Sequence, residues 1–203
     1  MQVIGLTGGT GSGKGVVSAV LAQNRAFIID TDKIAREIVE PGRPAYNELV
    51  EYFGTGILDP EGNILRHALG DIVFSDKKKL EFLNRCTHRY INIEILDRIA
   101  YAKANPELFS CVVIDAPLLM EAGLHSMCDE VWVVYASEDV RLERIMLRDG
   151  ITREQARKRI LSQMSWEEYE KFATVLIDNS GAIEEVQKQV CERIAGYIAP
   201  LDK

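Results

Sequence analysis

A short apolar strand that runs into a glycine-rich loop and leaves it as a helix constrains this chain more than any other feature. Met1–Leu6 reads as a buried strand, and Thr7-Gly8-Gly9-Thr10-Gly11-Ser12-Gly13-Lys14-Gly15 follows it. Lys14 to Gln23 then reads as a helix. Gly8, four residues, Gly13 and Lys14 spell most of a phosphate-binding loop. Glycines let successive backbone N–H groups turn inward on a polyanion. The helix aims its positive end at the same point, and the lysine adds a full charge. The competing reading is a plain glycine-rich turn between strand and helix. One position departs from the motif. A Ser or Thr hydroxyl that holds Mg²⁺ is expected after the lysine, and Gly15 stands there.

The rest of the chain supplies an α/β framework for that loop. Ala26–Asp30 and Ser110–Asp115 are apolar runs that each end in an acid, as buried parallel strands do. Glu130–Tyr135 and the short Val175–Asp178 complete five strands. Between the second and third strands, helices are expected over 33–40, 44–53, 64–74 and 77–104, the last ending before Pro106. A crossover needs only a dozen or more residues, so this helical excess reads as a substrate-binding insertion. Three helices are expected between the fourth and fifth strands. Ser137 caps the first, while Thr152-x-x-Gln155 and Ser165-x-x-Glu168 are capping boxes for the others. A last helix is expected over Ala182–Ile198, with Ile183, Val186, Val190 and Ile194 on one stripe. Strands alternating with helices give a parallel sheet with right-handed crossovers. Ligands gather at the C-terminal ends of such strands, where Asp30, Asp32, Asp115 and the glycine loop are expected.

Three further groups can carry chemistry. Asp32 lies two residues past Asp30, and an extended backbone would point both the same way. Beside a bound nucleotide it accepts a proton from an acceptor hydroxyl or helps hold Mg²⁺; otherwise it caps the following helix. Residues 141–159 hold seven cations (Arg141, Arg144, Arg148, Arg153, Arg157, Lys158, Arg159) against three acids. Arg141, Arg144 and Arg148 share one helical face, with Leu142, Ile145 and Met146 turned away from it. Planar guanidinium groups match a phosphoryl group in flight, so the segment reads as a mobile lid; the alternative is a solvated surface. Asp115 reads as a Mg²⁺ acid acting through water. The run Pro117-Leu118-Leu119-Met120 either packs on an apolar part of a substrate, with Glu121 as a polar anchor, or packs into the core. Asn179, between the last strand and last helix, offers an amide to a base edge or caps the helix.

Composition narrows the class. Within 203 residues the net charge is −7, which argues against general nucleic-acid binding. No apolar run reaches the roughly 18 residues of a membrane span, and no secretory leader pattern opens the chain, so a cytoplasmic protein is expected. Cys86, Cys111, Cys128 and Cys191 are scattered without zinc-ligand spacing, and buried reduced thiols are their simplest account.

Taken together these stretches resemble the dephospho-CoA kinase family of P-loop kinases, which is similar to the nucleoside monophosphate kinases. The matching residues are Leu6-Thr7-Gly8-Gly9-x-Gly11-Ser12-Gly13-Lys14, Ile29-Asp30-x-Asp32-x-Ile34-Ala35-Arg36 and Val39-x-Pro41-Gly42. Thr87-His88, Pro117-Leu118-Leu119-x-Glu121, Arg141-Leu142-x-Arg144, Arg148-Asp149 and Asp178-Asn179-x-Gly181 continue the match along nearly the whole chain. The resemblance implies a three-layer P-loop NTPase fold with a five-stranded parallel sheet. It implies a nucleotide core over 1–30, 106–136 and 174–203, a helical CoA-binding domain over 31–105 and a helical lid over 137–173. The implied reaction is ATP-dependent phosphorylation of the 3′-hydroxyl of dephospho-CoA, giving CoA and ADP, the final step of coenzyme A biosynthesis. Asp32 matches the general base, with Lys14 and Arg141 also in catalysis. Gly9, Thr10, Gly11, Ser12, Gly13, Lys14, Gly15, Val16, Arg144, Asn179 and Gly181 fall on the ATP side. Asp32, Arg36, His88, Leu118, Leu119 and Glu121 fall on the acceptor side. Mg²⁺ is expected on Asp32 or Asp115 through water. Neither nucleic acid nor membrane is an expected partner, and a monomer or weak homo-oligomer is expected. Two departures stand out: Gly15-Val16 where the family has Ser-Thr, and Arg89 where it usually has proline. The alternatives are a P-loop kinase of another small acceptor, such as a nucleoside monophosphate, or a nucleotide-binding protein whose catalysis Gly15 has impaired.

Overall fold

The computed structural model describes residues 1–197. Its elements run β1 (Val3–Thr7), α1 (Lys14–Gln23), β2 (Phe27–Asp30), α2 (Thr31–Glu37), α3 (Pro44–Phe53), α4 (Arg66–Phe74) and α5 (Lys77–Ala104). They continue with β3 (Val112–Asp115), β4 (Glu130–Tyr135), α6 (Glu138–Asp149), α7 (Arg153–Leu161), α8 (Trp166–Phe172), β5 (Val175–Asp178) and α9 (Ile183–Ile194). The strands form one five-stranded parallel sheet in the order β2-β3-β1-β4-β5, within a three-layer α/β fold. Central β1 is buried throughout and pairs with β3 (Val3↔Val112) and β4 (Ile4↔Glu130). The glycine loop therefore leaves the sheet at its centre, where the strand order reverses and ligands bind in such sheets.

The chain divides into two compact units, Asp30–Arg98 and the remainder, Met1–Ile29 with the chain from Ile99 onward. The division falls within α5, whose last turns belong to the sheet unit. Ala102 is fully buried there and Tyr101 packs on Phe27, their ring centroids 5.8 Å apart. Residues 137–173 do not separate as a unit of their own. The sheet unit's main core joins Ile4, Leu6, Trp132, Val134 and Ile177 to Val17 and Leu21 of α1 and to Val186, Val190 and Ile194 of α9. A smaller core, Ile57, Leu69 and Val73 with Leu80 and Leu83 beside it, holds the helical unit. Both predicted capping boxes are present, at Thr152/Gln155 and Ser165/Glu168. Each contributes about 1 kcal/mol to its helix. Ser137 occupies the N-cap of α6 but makes no side-chain cap bond.

Several expectations need correction. The backbone turns helical at Thr31, so Asp30 and Asp32 do not share an extended face. Asp30 is the N-cap of α2, its Oδ1 accepting from Lys33 N at 3.0 Å; Asp32 lies inside the first turn. The N-cap of α9 is Ala182, not Asn179. The expected end of the last helix at Ile198 lies outside the described residues. α5, by contrast, runs unbroken through Arg89 over the expected span of 77–104.

Not all four thiols are buried. Cys86 and Cys111 are, Cys128 is half-buried and Cys191 is exposed, one residue past the buried stripe of α9. Burial, with Glu48 adding to it, pushes the Cys86 thiol up to about 11. Burial with the Asp129 charge takes Cys128 to about 12 and burial also raises Cys111. A raised thiol stays protonated and unreactive. At about pH 8, Ellman's reagent is expected to titrate Cys191 alone within minutes and the other three after unfolding. A second fast thiol would contradict this burial pattern.

Candidate active site

The glycine loop lines a cavity of about 420 Å³ together with Pro117, Arg144, Arg148 and Gln163. Gly13 is the N-cap of α1 and sits in the left-handed region (φ 85°), which a side chain disfavours. Its missing Cβ also makes room for the Asn179 amide. The first turn of α1 carries no acid, so its unpaired N–H groups keep their positive end. Lys14 is held at the cavity by an ion pair with Asp115 at the end of β3, both side chains mostly buried.

The loop's outward carbonyls are gripped by α6. Arg141 Nε donates to Thr10 O at 2.9 Å, and Gly9 has no Cβ to obstruct the guanidinium. Arg144 donates to Gly11 O, to Ser12 O and, at 2.9 Å, to Asn179 O. Buried Asn179 donates its own amide to Ser12 O at 2.7 Å. Burial lowers the Arg141 pKa from its ordinary value, and Tyr169, Glu138 and Tyr135 oppose that. The cationic segment thus divides. Arg141 and Arg144 brace the loop and Arg148 lines its cavity. Arg153 and Arg157 instead pair with Asp139 and Glu138, just upstream of the counted stretch. Arg159 pairs with Asp149, and Lys158 with Glu154.

Among the remaining expected acceptor residues in this unit, Leu118 is 57% exposed but Leu119 is fully buried. A Cβ on Gly5 would lie 2.7 Å from Leu119 Cδ2, so Leu119 packs against β1 and is closed to a ligand. Glu121 is exposed and raises the Tyr169 pKa, second to burial. Gly181 is exposed, and a side chain there would meet the Glu185 carboxylate.

The helical unit has its own cavity, about 650 Å³, which Asp32, Arg36, Arg66 and Asn84 line with polar groups. Leu69, Val73, Leu80 and Leu83 supply much of its apolar wall, and 84%-exposed Phe74 stands at its edge. Arg36 Nε donates to Asp32 O at 3.2 Å, one turn back along α2. His88 is exposed, one turn beyond Asn84 on α5. Arg66 and Asn84 were not anticipated. Arg66 at least lies in the first turn of the helix expected over 64–74, where a cation is conspicuous.

A family model of dephospho-CoA kinase matches residues 2–185. The chain belongs to the dephospho-CoA kinase family. A dephospho-CoA kinase of Carboxydothermus hydrogenoformans is 45% identical over 190 residues, covering 94% of this chain and 91% of that protein. Among solved structures, one from Thermus thermophilus aligns over 98% of both chains with a TM-score of 0.79 and 28% identity. A dephospho-CoA kinase from Campylobacter jejuni aligns over 95% of both, at 0.70 and 27%.

Neither departure from the family pattern disturbs the scaffold. A Cβ at Gly15 would meet nothing within 4 Å, so its lack of a side chain is not forced by packing. Arg89 donates to Glu48 on α3 and, at 2.8 Å, to Tyr90 Oη. Gln163, between α7 and α8, was not anticipated either. Its Oε1 accepts from Thr10 N at 2.6 Å, across a sequence separation that no local pattern signals.

Proposed function

We propose that this chain carries out the reaction its family is named for, moving the γ-phosphoryl group of ATP to the 3′-hydroxyl of dephospho-CoA. The observation that carries the reading is a cationic phosphate cavity at the loop of Gly9–Lys14, on a chain whose helical unit holds a half-apolar cavity edged by Asp32. In this reading Gly9, Thr10, Gly11, Ser12, Gly13, Gly15 and Val16 contact ATP phosphates through the backbone. Lys14 carries charge on the transferring group, and Arg141 and Arg144 hold the loop in shape around it. Gly181 stands on the adenine side; Asn179, buried with its amide given to Ser12 O, acts through the loop it holds rather than on a base edge. Asp32 takes the proton as the hydroxyl oxygen bonds to γ-phosphorus and the bond to the β–γ bridging oxygen breaks, leaving ADP. Arg36 and Arg66 suit a pyrophosphate, and the leucine wall suits the aliphatic arm of the acceptor. His88, Leu118 and Glu121 stand on the acceptor side; Leu119 acts through the core that positions Leu118.

Mg²⁺ fits this donor set. Asp115 stands at the loop beside Lys14, the space at Gly15 admits a water, and Mg²⁺ is commonly held by one or two carboxylates with waters and phosphates. Asp115 or Asp32 would hold it through water, and it would neutralise charge on the ATP phosphates. The enzyme works in the cytoplasm as a monomer or weak homo-oligomer, away from nucleic acid and membranes; its net charge of −7 speaks against nucleic acid as a partner.

The direct test incubates protein, ATP, Mg²⁺ and dephospho-CoA and weighs the product. CoA is expected, with no turnover of nucleoside monophosphates; no CoA with ATP still bound would overturn the reading. A finer test is Gly15→Ser, which restores a hydroxyl in open space. It is expected to lower the Mg²⁺ concentration for half-maximal rate about threefold to tenfold. An unchanged requirement would mean the lost hydroxyl has no bearing on the metal.

A further inference from the structure

The Thr10 amide has one hydrogen, and Gln163 Oε1 accepts it at 2.6 Å. Both residues line the phosphate cavity, and Arg141 fixes the same residue through Thr10 O. A phosphate oxygen that reaches this amide therefore replaces the glutamine oxygen. We infer that Gln163 is a built-in competitor for the phosphate site, a neutral oxygen whose displacement sets the affinity for nucleotide. This rests on the loop being the ATP phosphate site.

The geometry favours competition over recognition. A nucleotide-binding glutamine would offer its N–H₂ donors to phosphate; this one presents its acceptor oxygen to the backbone donor that phosphate needs. Gln163 is anchored for this task from both sides. Its own N–H donates to Ile160 O at 3.3 Å, and Ser165, two residues on, caps α8 with Glu168. The side chain thus leaves a short, pinned connection between two helices, and letting go of Thr10 costs a side-chain rotation rather than an unfolding step.

The sign of the effect is the test. Calorimetric titration of the full chain with ATP, ADP and adenosine is expected to show Gln163→Ala binding both nucleotides about threefold to tenfold tighter, the worth of one net hydrogen bond. Adenosine, which has no phosphate, should bind as to wild type. Gln163→Glu places a charged acceptor on the same amide and is expected to weaken ATP binding by about tenfold or more. Unchanged or weaker ATP binding by Gln163→Ala overturns the inference, since a residue that contacts or merely supports the site would move it that way. Lys14→Ala run in parallel separates the two levels. ATP binding lost there without a gain in Gln163→Ala overturns the competitor alone, whereas ATP binding unchanged in Lys14→Ala overturns the phosphate-site reading beneath it.

Discussion

Asp32→Asn is expected to cut kcat roughly 10²- to 10⁴-fold while leaving the affinity for ATP within about twofold. The substitution keeps the shape of the side chain and removes its capacity to accept a proton. Asp32 is exposed in the first turn of α2, so the folded state loses only a favourable charge at a helix N-terminus, roughly 0.3–1 kcal/mol. Its neighbour supplies the control. Asp30 caps the same helix through Lys33 N, and Asp30→Ala should cost about 1 kcal/mol of stability with a far smaller effect on kcat. Steady-state rates and thermal melts of the two variants separate base from cap. Retention of more than about a tenth of wild-type kcat in Asp32→Asn would remove Asp32 from the chemistry.

That pair also shows why the site was only partly legible from residue order. Where the signal is local, element limits come through: glycines before Lys14, Pro44 at the start of α3 and Pro106 after α5 mark boundaries the structure keeps. The aspartates failed because reading them required knowing where the backbone turns helical. A two-residue spacing means one thing in a strand and another in a first turn. The limit is different at the loop itself. Glycines and Lys14 announce a phosphate cradle, but nothing in the loop announces that Arg144 and Asn179 take its outward carbonyls. Those contacts exist because β4 lies beside β1 in the sheet and β5 beside β4, an ordering set by long-range packing. The cationic segment was legible as a charge excess but not in its division. Arg141 and Arg144 turn inward, and Ile145, expected to turn away from them, lies with Arg141 against Gly11, while Glu138 and Asp139 draw Arg157 and Arg153 outward. Leu119 carried equal claims to core and substrate until the missing Cβ of Gly5 showed which side it packs on.

Lys14→Met should have two effects that a second substitution can pull apart. In catalysis it removes the full positive charge beside the phosphate loop, and the expected loss is roughly 10²- to 10³-fold in kcat/KM for ATP, the scale of deleting one preorganised donor to developing charge. In stability it strands Asp115. The pair's side chains are only 20% and 12% exposed, and breaking a buried pair from one side costs about 3–5 kcal/mol. Partial exposure lowers that here to roughly 1–3 kcal/mol. Asp115→Asn in the Lys14→Met background removes the stranded charge, so it should return most of the lost stability and none of the lost rate. Denaturant unfolding and ATP-dependent rates on the single and double variants measure both. If the double variant regained activity along with stability, Lys14 would be acting through the fold, as a partner that keeps Asp115 tolerable at the end of β3. If stability returned alone, the charge at Lys14 is what the phosphoryl group requires, and the ion pair is the resting arrangement that ATP has to share.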